Sequence, residues 1–255
     1  MLVRWITGFL DSPTADVEAS ADVEASADVE AFWVAVTGTT LSARREGGVF
    51  ATLVPADGDA CLRVQVVGDG PARAHLDLHV DDVPAGVAEA VALGASVVHV
   101  AESHTVVRSP AGIVFCVVPW HGESVRPAAV RWPGGQASVV DQVALDIPAA
   151  GYDAEVEFWA ALTGWEHRAS DLPEFRFLQG GPALPLRLLL QRTGGRAAGV
   201  HLDLACDGHE AEVERHAELG ATVVRRVPGD WTTLRDPAGR EYCVTRRAPV
   251  SRTRE

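Results

Sequence analysis

Side chains that can do chemistry collect on one side of the strands predicted in the second half of this chain. Successive side chains of a strand point to opposite faces of a sheet, so residues two apart share a face. One face of these strands is apolar, and the other carries Gln142, Asp146, Arg187, Gln191, His201, Asp203, Glu241 and Cys243. Such a face is either solvated or lines a polar site. In a cupped sheet its members converge, which favours a site.

Two members of this face, His201 and Glu241, have the residue types of an acid–base pair. Imidazole titrates near neutral pH, and a carboxylate accepts protons or hydrogen bonds. The alternative is a structural pair, in which His201 and Glu241 hydrogen-bond each other or Arg187. The equivalent face of the first half carries Gln65 and His75, and there Trp5 either stacks on a flat ligand or fills the core.

The helices and strands that position these residues are predicted from the spacing of the hydrophobic residues and from glycines at the ends of helices. In the second half, helices are predicted at residues 153–162 and 210–219, and each is followed by a glycine suited to a helix C-terminus. Strands are predicted at residues 139–147, 165–169, 174–179, 186–192, 200–205, 221–226, 231–235 and 241–245. The order is βαβββ followed by βαβββ, so this half contains two modules.

The two halves of the chain are copies of one another. The string HLDL occurs at residues 75–78 and 201–204, and LGA occurs at 93–95 and 219–221. A Phe-Trp pair followed by Thr-Gly starts at Phe32 and again at Phe158. A nearly constant offset across several motifs indicates duplication. We therefore predict domain 1 at residues 1–119, a Pro- and Gly-containing linker at 120–138 and domain 2 at 139–247.

One segment breaks the symmetry of the copies. Residues 15–31 repeat the hexapeptide ADVEAS, and the second copy has no equivalent. Alanine and glutamate favour a helix, but a period of six rotates the valines around its axis. The insertion is predicted to be a solvated helical extension or a mobile loop without a chemical role.

Several conspicuous residues are predicted to have no chemical role. Trp33 and Trp159 are expected in helix–sheet cores, and the four cysteines are expected to be small buried residues, which fits a reducing compartment. His209 and His216 lie on a polar helix and are expected to be solvated.

Composition excludes several function classes. The formal net charge of −13 argues against a nucleic-acid partner, which requires a basic surface. All basic residues are arginine, which removes lysine Schiff-base and P-loop chemistry. No apolar run reaches membrane-spanning length, and the expected location is the cytoplasm.

The second copy resembles the glyoxalase / bleomycin-resistance / dioxygenase (vicinal oxygen chelate) superfamily, and in particular its glyoxalase-like domain subgroup. The resemblance rests on HLDL at 201–204, LGA at 219–221 and the ending DPAGREYCV at 236–244, where the subgroup typically has DPxGNEFCV. It implies an α+β fold of two tandem domains, each built from two βαβββ modules that form a cupped mixed sheet. The same fold hosts many chemistries, so the resemblance alone does not define an activity.

The resemblance also implies positions for a metal site. Family members place ligands on the first and fourth strands of a module pair, at the opening of the fifth and on the eighth. Carried over to domain 2, these positions are Gln142, Gln191, His201 and Glu241. Histidine and carboxylate suit Zn²⁺, Ni²⁺, Mn²⁺ or Fe²⁺, whereas the two glutamines weaken the set.

In domain 1 the corresponding positions are Trp5, Gln65, His75 and Val114, which do not form a metal site. A chemical centre is therefore expected in domain 2 only.

Three functional hypotheses remain open. The first is a small-molecule pocket that is metal-free or weakly metal-dependent, and that sequesters a ligand or performs acid–base chemistry with His201 and Glu241 as catalytic residues. The ligand-binding residues would be Gln142, Arg187, Gln191 and Asp203, with Trp5, Gln65 and His75 in domain 1. The second is a metal-dependent lyase, isomerase or dioxygenase centred on domain 2, with Gln142, His201 and Glu241 as ligands. In the third, domain 1 is a non-catalytic scaffold. The expected assembly is a monomer with a pseudo-dimeric domain pair, or a homodimer.

Overall fold

The computed structural model describes residues 1–13, 23–68 and 70–249, and for residues 23–28 only the backbone. The first copy contains the helices α1 (Val23–Thr37) and α2 (Val83–Ala92). Its strands are β1 (Val3–Pro13), β2 (Thr40–Leu41), β3 (Phe50–Val54), β4 (Leu62–Val67), β5 (Arg73–Val80), β6 (Ser96–Val100), β7 (Thr105–Arg108) and β8 (Val114–Pro119).

The second copy repeats this order after a short strand, β9 (Val130–Arg131), in the linker. Its helices are α3 (Tyr152–Thr163) and α4 (His209–Glu218). Its strands are β10 (Ala137–Pro148), β11 (Glu166–Ala169), β12 (Phe175–Gln179), β13 (Arg187–Thr193), β14 (Gly199–Cys206), β15 (Thr222–Val227), β16 (Trp231–Arg235) and β17 (Glu241–Thr245). The predicted α+β fold and the two βαβββ modules per copy are confirmed.

The described strands of each copy form one mixed sheet. The orders are β2-β3-β4-β1-β5-β8-β7-β6 in the first copy and β11-β12-β13-β10-β14-β17-β16-β15 in the second, where β9 also pairs with β10. In both copies a parallel pair, β5 with β8 and β14 with β17, is joined to antiparallel neighbours. The first and last strands of the second module of each copy therefore lie side by side.

The chain divides into two compact units that do not follow the order of the copies. Unit 1 comprises Met1–Gly8, His75–Val125 and Gln142–Val200, and unit 2 comprises Phe9–Ala74, Arg126–Asp141 and His201–Glu255. Each unit therefore combines one module of the first copy with one module of the second. The boundaries of the sequential domains, at residues 119 and 139, stay a prediction.

Each unit has an aromatic core in which a helix of one copy packs on a strand of the other. In unit 1, the ring of Phe115 on β8 lies 4.9 Å from that of Trp159 on α3. In unit 2, Trp33 on α1 lies 5.1 Å from Tyr242 on β17 in an edge-on contact. Trp33 and Trp159 are buried, as predicted. Large aromatic rings in such contacts supply much of the apolar surface that stabilises a core.

Unit 2 also has a polar cluster in its core, around Glu212 of α4. The Glu212 carboxylate accepts hydrogen bonds from Arg215 Nη2 at 2.6 Å and Ser138 Oγ at 2.5 Å, and lies 3.1 Å from His216 Nε2. His216 Nδ1 lies 2.9 Å from the Tyr242 hydroxyl. His216 is fully buried, so the expectation that the histidines of α4 are solvated is wrong, and His209 is buried as well.

The ADVEAS insertion falls partly outside the described residues, since residues 14–22 are not among them. From Val23 onward the repeat is helical and forms the start of α1. Val29, the last valine of the repeat, is buried, so this end of the insertion belongs to the core of unit 2. None of the described helices is both long and apolar enough to span a membrane.

Candidate functional site

The candidate site of the second copy lies where β14 and β17 run parallel. His201 and Asp203 are two residues apart on β14 and therefore share a face of the sheet. The backbone register places Asp203 opposite Cys243 on β17. An imidazole, a carboxylate and a thiol thereby meet on one face, within unit 2.

The three side chains are close enough to act on one ligand. His201 Nε2 lies 3.4 Å from Asp203 Oδ1, and one donor atom from each of His201, Asp203 and Cys243 lies within 4.8 Å of the other two. Asp203 and Cys243 are buried, whereas the imidazole keeps 16% of its surface exposed. The histidine is thus the member that solvent reaches most easily.

The Cys243 thiol is held in its protonated form. Burial raises its pKa, the nearby Asp203 carboxylate raises it further, and hydrogen bonds from His201 and Thr233 oppose the shift. Thr233 lies opposite Cys243 on β16, with its hydroxyl 3.5 Å from the thiol sulfur. At neutral pH Cys243 is therefore a weak hydrogen-bonding group and a poor nucleophile.

The first copy has the same three residue types in the same arrangement, within unit 1. His75 Nε2 lies 3.6 Å from Asp77 Oδ1, and Asp77 lies opposite Cys116 in the parallel register of β5 and β8. The donor atoms of this group also lie within 4.8 Å of one another. Both copies therefore have a His-Asp-Cys group, and the expectation that a chemical centre lies in the second copy only stays a prediction.

The two groups differ in their surroundings. The residue opposite Cys116 on β7 is Val106, where the second copy has Thr233. Close to the first group, the buried His79 Nε2 lies 2.8 Å from Thr7 Oγ1. The thiol of the first copy therefore faces an apolar neighbour where that of the second copy faces a hydroxyl.

Glu241, a catalytic and metal-ligand candidate from the sequence, is not one of the clustered donor residues found among the described residues. Its carboxylate accepts a hydrogen bond from Arg235 Nη2 at 2.7 Å, and both side chains are about half exposed. Glu241 shares a face with Cys243 by strand alternation. It lies opposite Arg235 on β16, two residues before Cys243, where the described pairing of β14 with β17 begins. Cys243 thus belongs to one group with His201, and a role for Glu241 at this site stays a prediction.

Two of the residues predicted for the site, Gln142 and Arg187, contact each other within unit 1. Gln142 is buried and accepts a hydrogen bond from Arg187 Nε at 2.6 Å, and the Arg187 guanidinium lies over the ring of Phe177. Gln191 lies opposite Asp146 in the parallel register of β10 and β13. These residues belong to unit 1, whereas His201 and Asp203 belong to unit 2.

Two candidates of the first copy also have defined places. Trp5 is fully buried, which fits the core alternative better than a surface for stacking a ligand. Gln65 lies opposite Phe50 in the pairing of β3 with β4 and is partly exposed.

The cysteines are the functional candidates that sequence reasoning missed. Cys243 was visible on the polar face of β17, but its residue type favoured the interpretation of a small buried residue. The overlooked signal is the pairing of HLDL with a cysteine in the last strand of each copy, at Cys116 and Cys243. None of the four cysteines forms a disulfide.

The donor set of each group fits a divalent cation of borderline softness. Imidazole nitrogen, carboxylate oxygen and thiolate sulfur are all ligands of Zn²⁺, and the 3.4 Å and 3.6 Å separations suit atoms that share one ion. His201, Asp203 and Cys243 would hold the cation in the second copy. Coordination requires loss of the Cys243 proton, which the raised pKa of this thiol opposes.

Comparison of the sequence with family profiles gives one match, repeated in both copies. The profile described as "Glyoxalase-like domain" matches residues 18–118 and 142–245. These two regions cover most of the chain and leave out the linker. No curated protein matches the sequence.

Solved structures show the same architecture at low sequence identity. A mutant 4-hydroxymandelate synthase from Streptomyces coelicolor aligns with a TM-score of 0.61 and 16% identity, over 98% of this chain and 95% of the other. The Mn(II)-bound glyoxalase from Novosphingobium aromaticivorans aligns at 0.63 and 15%, over 98% and 83%. The 2,3-dioxygenase LapB from Pseudomonas sp. KL28 aligns at 0.61 and 12%, over 100% and 95%. At these identities the likeness establishes the fold.

Proposed function

Because this chain belongs to the glyoxalase-like domain family, we propose that it binds a small polar molecule at the His201–Asp203–Cys243 group, without a metal or with only weak dependence on one. The observation that carries the proposal is the placement of a buried carboxylate and a buried thiol beside a partly exposed imidazole, all within 4.8 Å. A polar group of a ligand can reach His201 and hydrogen-bond to it.

The chemistry of the group defines the class of ligand. The Asp203 carboxylate is an acceptor, the His201 imidazole donates or accepts, and the thiol of Cys243 donates only weakly. A molecule with neighbouring hydroxyl and carbonyl oxygens offers donors and acceptors to match. His201 supported by Asp203 is also arranged for proton transfer to such an oxygen, so the pocket serves either sequestration or acid–base chemistry.

The state of the thiol favours binding without a metal. A raised Cys243 pKa means that a cation competes with a proton for the sulfur at neutral pH, which weakens its apparent affinity. A carboxylate at this position would be deprotonated more readily and would suit a harder cation such as Mn²⁺. A thiol at this position is thus a weaker ligand for such a cation than a carboxylate would be.

The second candidate function is a metal-dependent lyase, isomerase or dioxygenase with His201, Asp203 and Cys243 as ligands. It is favoured by the separations of the donor atoms and by likeness to a Mn(II)-bound glyoxalase and to a dioxygenase. A bound cation would act as a Lewis acid on vicinal oxygens of a substrate. In this case ligand binding would require the cation.

The remaining parts of the proposal concern partners and location. A small molecule is the proposed partner, and the acidic composition argues against a nucleic acid. We propose that the pairing of modules within each unit makes the chain a pseudo-dimer by itself, with a homodimer as the alternative. The absence of disulfides fits the proposed cytoplasmic location.

The test combines ligand screening and metal analysis on the full chain. Chelator-treated protein is screened by thermal shift against hydroxy-, oxo- and dihydroxy-compounds, with and without Zn²⁺, Mn²⁺, Fe²⁺ or Ni²⁺. The variants are His201→Ala and Cys243→Ala. Cys206→Ala is the matched control, because Cys206 is also buried but belongs to no such group.

The proposal predicts that a compound stabilises the metal-free chain and that both site variants lose at least 10-fold in affinity, while Cys206→Ala binds normally. Stoichiometric metal that is lost in both site variants, together with ligand binding only in its presence, would replace the proposal with the metal-dependent alternative. If neither compounds nor metals stabilise the chain, both functions are refuted. The variants His75→Ala and Cys116→Ala test in the same assay whether the group of the first copy also binds the ligand.

A further inference from the structure

The tryptophans of the two long helices both donate their indole N–H to a carboxylate, but the carboxylates come from different places. In unit 2, Trp33 Nε1 on α1 donates to Asp236 Oδ2 at 2.8 Å, and Asp236 lies in the turn before β17. In unit 1, Trp159 Nε1 on α3 donates to Glu155 Oε1 at 2.8 Å, one turn earlier on the same helix. The two tryptophans occupy equivalent positions, but the acceptor lies on the facing turn in unit 2 and on the helix itself in unit 1.

The position that provides the carboxylate in one unit is uncharged in the other. By the offset of the copies, Val29 on α1 corresponds to Glu155 on α3, and Ser109 corresponds to Asp236. The turns have the same geometry, since Ser109 Oγ accepts from the amide of Ile113 at 3.0 Å and Asp236 Oδ1 accepts from that of Arg240 at 2.9 Å. Each unit therefore has one carboxylate per tryptophan, from the helix in unit 1 and from the turn in unit 2.

In each unit, further hydrogen bonds hold the carboxylate in place. In unit 1, the second oxygen of Glu155 accepts from the amide of Ala111 at 2.8 Å. In unit 2, Arg240 donates to Asp236 Oδ2 at 2.8 Å and to the carbonyl of Asp11 at 2.9 Å. The equivalent of Arg240 in the first copy is the buried Ile113.

A second, independent contact shows the same complementarity. Arg215 on α4 donates to the carbonyls of Ala35 and Val36, both at 3.0 Å, and so satisfies the C-terminal end of α1. The equivalent of Arg215 in the first copy is Glu89, which has no donor to offer a carbonyl. The carbonyls at the end of α1 thus have a donor on the second module of the second copy, and the first copy has no such donor at the equivalent position.

We infer that the modules pair selectively. The module with the tryptophan-bearing helix of each copy, α1 or α3, pairs with the module of the other copy that contains the turn before the last strand. It does not pair with the corresponding module of its own copy. Pairing α1 with the turn of its own copy would leave Trp33 with Val29 and Ser109, without a carboxylate. Pairing α3 with the turn of its own copy would bring Glu155 and Asp236 together, two buried carboxylates beside one arginine, Arg240. Losing the charged acceptor of a buried indole N–H and burying a second carboxylate both cost free energy, which disfavours the like-with-like pairs.

The test is a set of full-length variants in which the carboxylate is moved from turn to helix. Asp236→Ser with Arg240→Ile gives unit 2 the turn residues of the first copy. Adding Val29→Glu then places a carboxylate on α1, as Glu155 does on α3 in unit 1. In the wild-type background, V29E creates the two-carboxylate combination and is expected to lower the Tm by roughly 4–10 °C. In the D236S/R240I background, V29E is expected to raise the Tm, because it restores one carboxylate beside Trp33.

The mirror experiment in unit 1 uses Glu155→Val and Ser109→Asp. E155V is expected to lower the Tm of the wild type and to raise that of S109D, in which it removes one of two carboxylates. Such a reversal of sign distinguishes complementary pairing from a simple loss of packing, which adds between backgrounds. V29Q is the uncharged control for V29E and should rescue D236S/R240I less, since a hydrogen bond to a charged acceptor is stronger.

Effects of the same sign in both backgrounds would overturn the inference. If D236S/R240I does not fold, recovery of folded protein on adding V29E counts as rescue, and failure to recover it counts against the inference.

Discussion

Asp203 lies opposite Cys243 in the parallel register of two strands, and Asp77 lies opposite Cys116 in the same way in the other copy. Backbone hydrogen bonds set this relationship, so it does not depend on the side chains being attracted to each other. The histidine two residues before each aspartate then completes the group by strand alternation alone. The geometry of the candidate site is thus a property of the sheet.

The cysteines should react slowly with alkylating reagents in the folded protein. Burial raises the pKa of Cys61 to about 12 and that of Cys206 to about 11, and it also raises that of Cys243. Since the thiolate is the reactive form, labelling by iodoacetamide at pH 7 should be at least 10-fold slower than in urea. Mass spectrometry of each labelled cysteine measures this rate, and fast labelling of Cys243 at pH 7 would contradict its proposed protonated state.

Acid should destabilise the protein through His216. Burial lowers the pKa of this imidazole in the folded chain, against the opposing effect of Glu212, so the unfolded chain takes up the proton first as pH falls. The contribution of His216 is therefore complete above its unfolded pKa of about 6.5 and declines below it. The Tm should fall by roughly 2–6 °C between pH 7.5 and 5.5.

His216→Gln should reduce this pH dependence, because glutamine does not titrate in this range. His121→Gln is the matched control, since His121 is exposed and lies outside the cluster. Below about pH 4.5 a second loss is expected from Glu212, whose pKa is lowered because the hydrogen bonds of His216, Arg215 and Ser138 outweigh burial. An unchanged slope in H216Q between pH 7.5 and 5.5 would assign the effect to other groups.

Two glycines at equivalent helix ends should tolerate alanine differently. Gly38 and Gly164 have nearly the same positive φ, 63° and 69°, so alanine incurs a similar backbone cost of about 1–2 kcal/mol at each. A Cβ on Gly164 meets no atom within 4 Å, whereas one on Gly38 would lie 3.0 Å from Val130 and 3.2 Å from Trp132. G38A should therefore cost about 1–3 kcal/mol more than G164A in urea unfolding.

Val130→Ala is expected to recover part of that difference, since it removes the methyl groups closest to the new Cβ. If G38A and G164A lower the free energy of unfolding equally, the linker residues near Gly38 shift to make room for the new Cβ. No recovery in the G38A/V130A double variant would show that Val130 is not the obstacle.

The repeat and the hydrophobic alternation predicted the fold well. Strands β16 and β17 were predicted at the observed residues, and most other elements of the second copy within one or two. The signal is local in these cases, because alternation within a strand and a glycine after a helix are both visible along the chain. Gly164 illustrates this, since its left-handed conformation ends α3 where the sequence predicted.

The site was harder to predict because it depends on where strands pair. Glu241 and Cys243 share a face of β17, and alternation alone does not give the register that places Cys243 opposite Asp203 on β14. The burial of His216 was missed for a related reason. Its partner Tyr242, and Ser138, which donates to the adjacent Glu212, are distant in sequence. The sequence therefore does not show that the polar side chains of α4 find hydrogen-bond partners inside the core.

Joining both copies in one polypeptide has a consequence for how the helix–turn contacts can change. In a symmetric dimer of identical chains, any substitution occurs at both symmetry-related contacts, so a carboxylate gained on one helix is gained on the other as well. Here Glu155 and its counterpart Val29 are separate positions that mutate one at a time. One helix can therefore acquire a charge while the equivalent position of its twin keeps an uncharged residue and its own contact, a route that a symmetric dimer does not have.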